Sequence, residues 1–193
     1  MDCDIKRGCV THRSHIFIDE YKLPSYELVC EDAKRSLLIA NAGGQSEISE
    51  MYSIDYFSQI YGSTNIILET EVDYWVEFKM VDFICTINCQ RMGVSVARAM
   101  GYPTSDTFTL EQAKKLLYKK LYGLIVARNS VVKSQSFMKS VLHIWCQDKR
   151  IAALLQEAYC QLDDNDYGLD VKGELLLQLT ICPDKQIYKN RMV

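Results

Sequence analysis

Asp82 is the residue whose type and position in this sequence most favour chemistry. It stands at the start of an apolar run, Val81–Ile87, in which nearly every residue is apolar. Such a run is typical of a strand that is covered on both faces. A carboxylate at the end of a buried strand is costly unless it is paired, bound to a metal ion or placed at a sheet edge. The sequence therefore predicts that Asp82 has a partner or belongs to a site.

The residues after this run predict which side chain lies opposite Asp82. A short polar segment separates the run from a second apolar run, Met92–Ala99, and this pattern is typical of a β-hairpin. If Asn88 and Cys89 form the turn, counting back along the hairpin places Asp82 opposite Ser95. We therefore expect the aspartate and the serine to lie side by side on neighbouring strands.

A predicted helix upstream supplies a second carboxylate. Ser46 is a suitable N-cap, Glu50 lies near the start of the helix, and apolar residues follow at helical spacing. Gly62 is suitable for the position just after the last helical residue. The sequence thus predicts a helix that ends immediately before the strands.

The remaining elements complete an α/β (α+β) fold with a central mixed β-sheet flanked by helices. They are a strand at 15–21, a half-exposed strand at 65–75, a strand at 76–87 that includes the run with Asp82, a helix at 109–122 that begins with a capping box, a buried strand at 124–127, one long helix or two at 136–162 and a final strand at 174–182. From Ser46 to Ala127 the predicted order is helix, three strands, helix, strand.

Length and composition predict one domain over residues 1–193. The chain has 193 residues, of which 48% are apolar and 24% charged, ordinary values for a globular protein. Residues 1–14 are predicted to be an N-terminal arm, and residues 128–182 to add C-terminal helices and a strand. Because the sequence contains no apolar stretch of membrane-spanning length, we expect no membrane partner and an intracellular location, cytoplasmic or nuclear.

Charge is distributed unevenly along the chain. From residue 43 to residue 84, eight acidic residues oppose one lysine, whereas from residue 114 to residue 150 nine basic residues oppose one acid. This arrangement could present carboxylates to a metal ion beside cations for phosphate groups. It is equally compatible with two solvated faces that differ in sign.

The predicted order, with an acid entering the second strand and a hairpin to the third, resembles the core of the restriction-endonuclease-like, or PD-(D/E)XK, nuclease superfamily. The resemblance covers about residues 45–127. It implies a site in which a helix acid, the aspartate of strand two and a Glu-x-Lys of strand three hold one or two Mg²⁺ ions. In such a site the metal stabilises charge on the attacking and leaving oxygens of a phosphodiester.

The chain departs from the pattern of this superfamily on the third strand. Glu50 resembles the helix acid and Asp82 resembles the aspartate of strand two, so these two are the predicted metal ligands. Ser95 stands where the superfamily has glutamate, and Ala97 stands where it has lysine. Because serine is a poor Mg²⁺ ligand and alanine has no donor, the resemblance implies a weak or absent metal site.

Other residues could replace the missing groups. Lys114 or Lys115 of the following helix could supply the amine, and Glu69 or Glu71 could supply the acid. The arginine next to Ala97 is a poor substitute, because adjacent residues of a strand point to opposite faces.

A set of basic residues is predicted to contact nucleic acid if the site acts on phosphodiesters. Its members are Arg98, Lys119, Lys120, Arg128 and Lys133. Three hypotheses remain open at this point: a domain that binds DNA or RNA with hydrolysis lost or weakened, an active nuclease with a rearranged site and Mg²⁺ as its cofactor, and a module that binds a protein partner without catalysis.

Overall fold

The computed structural model describes residues 15–39, 46–76, 78–162 and 175–190, which form ten helices and strands. The predicted N-terminal arm, residues 1–14, lies outside the described residues. The strands are β1 (His15–Glu20), β2 (Thr64–Leu68), β3 (Phe83–Ile87), β4 (Gln90–Ala99), β5 (Lys139–Cys146) and β6 (Leu175–Ile181); the helices are α1 (Glu31–Leu38), α2 (Glu47–Tyr61), α3 (Leu110–Ser130) and α4 (Lys149–Cys160).

The six strands form one mixed sheet in the order β1-β6-β5-β4-β3-β2. β2, β3 and β4 pair antiparallel, whereas β4, β5, β6 and β1 pair parallel. Helices α1 and α2 pack on one face of the sheet, and α3 and α4 pack on the other. The predicted α/β fold with a mixed sheet between helices is confirmed.

The hairpin of β3 and β4 has the predicted register. Ile87 pairs with Gln90, and the two turn residues, Asn88 and Cys89, have φ values of 49° and 62°. Two consecutive left-handed residues are the signature of a type I′ turn, whose twist matches that of the strands it joins. This turn therefore fixes which residues of the two strands face each other.

The predicted starts of two helices are also present. Thr109 and Gln112 form the capping box that begins α3. Ser46 precedes α2 and Gly62 ends it with a φ of 61°, the left-handed conformation that favours glycine. The Ser46 hydroxyl donates a hydrogen bond to the Glu50 carboxylate rather than accepting one from the backbone.

Four element predictions are wrong. The strand predicted at 65–75 ends at Leu68 and gives way to a short 3-10 turn, and the strand predicted at 76–87 begins only at Phe83. The strand predicted at 124–127 is the last part of α3, because this apolar run supplies the buried side of a helix that continues through Gly123 to Ser130. The helix predicted at 136–162 is strand β5 followed by α4, and the side chain of Asp148 caps the new helix.

With these corrections, the predicted order of helix, three strands, helix and strand is kept but covers a longer part of the chain. It is formed by α2, β2, β3, β4, α3 and β5, so it ends at Cys146 rather than at Ala127. β5 lies between two parallel neighbours, and seven of its eight residues are buried. One continuous apolar run of this chain thus forms a central parallel strand, β5, whereas another forms the buried side of α3.

The buried indole of Trp145 on β5 holds α2 against the sheet. Its Nε1 donates to the Ser49 carbonyl at 3.1 Å and to the Ser53 hydroxyl at 2.9 Å. A buried N–H that is fully satisfied fixes the helix at one depth and rotation. Among the helices of the described ranges, none is long and apolar enough to cross a membrane.

Candidate functional site

An open cleft lies where α2 begins, β2 ends and β3 begins. It is lined by Ser36, Ile39, Glu47, Glu50, Ile54, Leu68, Glu69, Thr70 and Asp82. Four of these nine residues are acidic, and both predicted metal ligands are among them. The structure therefore brings Glu50 and Asp82 to one cleft, as the sequence predicted.

Asp82 is held at the edge of the cleft by the hairpin. Its amide donates to the Val94 carbonyl at 2.9 Å, which continues the β3–β4 ladder by one residue. Its carboxylate oxygen Oδ2 accepts from the Ser95 hydroxyl at 3.0 Å and from the Val96 amide at 2.6 Å. The predicted juxtaposition of Asp82 and Ser95 is confirmed, and the carboxylate is oriented by two donors of β4.

Glu69 lines the same cleft, next to Asp82. It is the first residue of the 3-10 turn after β2, and its amide donates to the Asp82 carbonyl at 3.1 Å. Of the two acids predicted as substitutes, Glu69 lines the cleft, whereas Glu71 forms an ion pair with Arg35 of α1. In a continuous strand the side chains of Glu69 and Glu71 would point to the same face. Because both residues lie in the 3-10 turn instead, their side chains have different partners.

Two acids of the cleft, Glu50 and Glu69, have raised pKa values. Burial and the nearby charge of Asp82 raise the pKa of Glu50 to about 7, although the Ser46 hydroxyl and Lys120 act in the opposite direction. Burial and Asp82 also raise the pKa of Glu69 to about 7. Strongly shifted carboxyls that face one cleft are more frequent in functional sites than elsewhere.

The raised pKa of Glu50 predicts a pH-dependent effect of Glu50→Gln on stability. Below about pH 4.5 the carboxyl is protonated in both the folded and the unfolded chain. Between about pH 4.5 and 7 the unfolded chain ionises first, so the wild type loses stability as the pH rises. Urea unfolding should show equal stabilities at pH 4 and a variant that is about 1–3 kcal/mol more stable at pH 8. A difference that is independent of pH would contradict this prediction.

Lys120 of α3 places an amine next to Asp82, at the edge of the cleft. Its Nζ donates to the Ser95 hydroxyl at 3.3 Å and to the Val96 carbonyl, and it lies 4.0 Å from Oδ2 of Asp82. The sequence placed Lys120 among the residues that contact nucleic acid and did not place it in the catalytic set. The position of Lys120 on the helix could have indicated that it faces the sheet. Lys120 lies three residues after Leu117 and four before Leu124, and both leucines are buried.

Lys114 and Lys115, the amines predicted for this role, lie elsewhere. Lys114 Nζ is 3.9 Å from the carboxylate of Glu111, and Lys115 is exposed. Successive residues of a helix are about 100° apart, so neither position shares the direction of Lys120. The amine that lies near Asp82 comes from the predicted helix, but from Lys120 rather than from either predicted position.

The other predicted basic residues do not all face the cleft. Arg98 donates from its guanidinium to the Lys189 carbonyl and to the side chain of Asn190, so it holds the C-terminal segment. Lys119 and Lys133 are exposed, and Arg128 near the end of α3 is half-buried. Contact with nucleic acid stays a prediction for these residues.

The donor set of the cleft consists of carboxylates, which are ligands that Mg²⁺ prefers. In the ranges that the structure describes, no three acidic, histidine or cysteine side chains are grouped closely enough to hold a metal ion. The cleft therefore has suitable donor chemistry from Glu50, Glu69 and Asp82 in an arrangement that is wider than a formed metal site.

Comparison with known proteins gives a relative but no family. The chain is similar to the AAC-rich mRNA clone AAC4 protein of Dictyostelium discoideum, with 34% identity over 142 residues. The match covers 70% of this chain and 21% of that protein, so the chain spans about a fifth of the length of this relative. No family model and no solved structure matches the chain.

Proposed function

We propose that the protein is a metal-dependent phosphodiesterase of the nuclease type with a rearranged site. The observation that supports this proposal is the position of Lys120, whose amine reaches Ser95 and Asp82 at a cleft that Glu50 and Glu69 also line. A lysine beside carboxylates that could hold a metal ion is one combination that can hydrolyse a phosphodiester. Here that combination is assembled from α2, the turn after β2, β3 and α3.

The small side chain at position 97 is consistent with a lysine that comes from the helix. Ala97 is buried in the cluster that packs α3 against the sheet, together with Leu117 and Leu121. A lysine on β4 at this position would compete with the helix for the same space. The amine of Lys120 instead reaches β4 from α3 and contacts Ser95 and Val96.

Lys120 can orient a reacting group because two of its donors are already used. An ammonium group has three N–H donors, and the Ser95 hydroxyl and the Val96 carbonyl accept two of them. The third remains for Asp82, a water molecule or a phosphate oxygen. The amine is thus held in a fixed position, which is the condition for stabilising developing negative charge.

Glu50, Glu69 and Asp82 are the residues that would hold a divalent cation. Such an ion would stabilise negative charge on a scissile phosphate and on the leaving oxygen. The raised pKa values of Glu50 and Glu69 fit this assignment, since carboxyls that disfavour ionisation beside Asp82 gain a partner when a cation is present. Asp82 keeps its orientation through the two donors of β4.

Assays of binding and cleavage test the proposal. Single- and double-stranded DNA and RNA are incubated with the protein in Mg²⁺ or Mn²⁺, with EDTA as the control. We expect cleavage that requires the metal, and binding that weakens steeply as salt increases, because lysine–phosphate contacts release counterions. Absence of any binding at about 50 mM salt would contradict the proposal and would favour a module that binds a protein partner.

A nucleic-acid-binding domain without hydrolysis is the second candidate. Ser95 and Ala97 favour it, because they remove both groups that the third strand of the superfamily supplies. The two candidates differ in one measurement. Binding that depends on salt without cleavage in either metal would favour this second candidate over the first.

A further inference from the structure

One edge of the sheet is formed by β1, which pairs with β6 over all six of its residues. The Tyr21 amide, just after β1, donates to the Ile181 carbonyl at 3.0 Å. Because successive residues of a strand bond in alternate directions, the odd-numbered residues here bond to β6, and the backbone groups of Ile16, Ile18 and Glu20 point away from the sheet. Within the described ranges of the chain, no strand or loop pairs with this outer side of β1.

The opposite edge of the sheet, β2, is protected against a further strand. Asn65 has a φ of 53°, and the register with β3 shifts between Thr64 and Ile67. Arg35 of α1 also donates to the Ile66 carbonyl at 3.0 Å. Bulges and charged side chains of this kind prevent sheets from associating edge to edge. β1 has neither device, since its register with β6 is continuous and it contains no proline and no lysine.

β1 carries apolar surface on both sides of its edge. The helices on the β1 side of the fold pack on the inner strands, α3 on β4 and β5 and α4 on β5 and β6. Phe17 is 39% exposed and Ile18 is 38% exposed. The two side chains lie on opposite faces of the sheet, because they are neighbours on a strand. A strand added at this edge would cover part of both.

The two acids at the end of β1 already have partners within the chain. The Asp19 carboxylate accepts from the Gln178 side chain at 3.2 Å and from the Tyr56 hydroxyl. Glu20 forms an ion pair with Lys149 of α4, with 2.6 Å between the carboxylate oxygen and the amine. Charges keep an edge strand from associating when a second strand would bring like charges together. Here both acids are compensated, so this obstacle is weak.

We propose that β1 pairs antiparallel with β1 of a second copy of this chain, which joins two six-stranded sheets into one continuous sheet. A two-fold axis normal to the sheet passes beside Phe17, so the two phenylalanines face each other. Ile16 of each copy then faces Ile18 of the other. Aromatic pairs and pairs of β-branched side chains are combinations that stabilise neighbouring strands. A shift by two residues would place Phe17 opposite Asp19 instead.

The complementarity of β1 to itself favours a second copy over another protein as the occupant. In this register the outward backbone groups of Ile16 in one copy bond to those of Ile18 in the other. Each exposed apolar side chain of β1 also meets an apolar one. A contact of this symmetric kind closes after two copies, which suits a sheet whose other edge is protected. The inference concerns assembly and does not depend on the proposed function.

Sedimentation velocity at increasing protein concentration tests the association. We expect a species of twice the mass of the chain that forms in the micromolar range. Ile18→Lys should weaken the dimer by about tenfold or more, because lysine on an edge strand opposes pairing. Leu38→Lys is the matched control, since Leu38 is 84% exposed on α1. A monomer at every concentration, an unchanged dimer in a folded Ile18→Lys protein, or an equal loss in the control would overturn the inference.

Cysteine substitution tests the register. In the proposed dimer the residues at position 17 form a non-hydrogen-bonded pair, whose Cα atoms are about 4.5 Å apart and within reach of a disulfide. Phe17→Cys should therefore give a disulfide-linked dimer on mild oxidation, whereas Ile18→Cys should not. Peptide mapping distinguishes this link from links through Cys89 and Cys160, which are exposed. No link at position 17, or a link at position 18 instead, would contradict the proposed pairing.

Hydrogen exchange of the β1 amides separates a second copy from other occupants. Protection of the Ile16 and Ile18 amides should rise with protein concentration, because these groups bond only in the dimer. Protection that is independent of concentration would show that another segment of the same chain covers the edge. Amides that stay unprotected at every concentration would leave the edge to a different protein. Either of these two results would overturn the inference.

Discussion

Replacing Asp82 by asparagine is expected to lower metal-dependent cleavage by at least about a thousandfold. Asparagine keeps an oxygen that can accept from Ser95 and Val96, so the hairpin retains its contacts. It removes the negative charge that the proposed cation would neutralise. Initial rates on a labelled oligonucleotide in Mg²⁺ and in Mn²⁺ measure the loss.

The control for this change is Asp106→Asn, which removes an exposed aspartate from the loop after β4. It should cleave at the rate of the wild type. Thermal unfolding of each variant establishes that the protein is folded under the conditions of the assay. If cleavage survives in a folded Asp82→Asn protein, the assignment of the site is wrong even where the assignment of the activity is right.

Replacing Lys120 by methionine is expected to lower kcat by about a hundredfold to a thousandfold while KM changes little. Methionine preserves most of the side-chain volume against the sheet and removes the amine that contacts Ser95 and lies near Asp82. A group that acts on the transition state affects kcat, whereas a group that only binds substrate affects KM.

Lys119→Met is the matched control because Lys119 precedes Lys120 on α3 and is exposed. If Lys119 contacts a phosphate, this variant should bind nucleic acid more weakly, with a salt slope reduced by about one, and keep its kcat. Equal kcat values for the two variants would show that Lys120 has no special role. A KM effect of Lys120→Met without a kcat effect would assign it to binding alone.

The hairpin could be predicted because local signals agree there. Two apolar runs surround a polar centre, and the turn at Asn88 and Cys89 fixes the register by its left-handed conformation. Counting residues back from the turn was then sufficient to place Asp82 beside Ser95. This part of the site depends on contacts between residues close in sequence.

The second half of the chain was harder to predict because apolar runs do not distinguish buried strands from buried helix faces. Leu124 and Ile125 belong to α3, whereas Val141 and Leu142 belong to β5, although both pairs stand in short continuous apolar stretches. The difference arises from the neighbours that cover each stretch, which a single sequence does not specify.

The cleft residues that were missed or left open depend on long-range geometry. Glu69 stood in an acidic alternation that favoured a half-exposed strand, and the early end of β2 directs it toward Asp82 instead. Lys120 stood among several lysines of one helix, and only the packing of α3 on the sheet decides which of them reaches β4. Neither outcome follows from residue type alone.

The hydrogen bond between Lys120 and Ser95 joins residues 25 positions apart on two different elements. A pattern that reads an acid and a lysine two positions apart along one strand cannot describe such a pair. A search for this arrangement in other proteins must therefore compare the position of the amine in space, and not the order of residues along one strand.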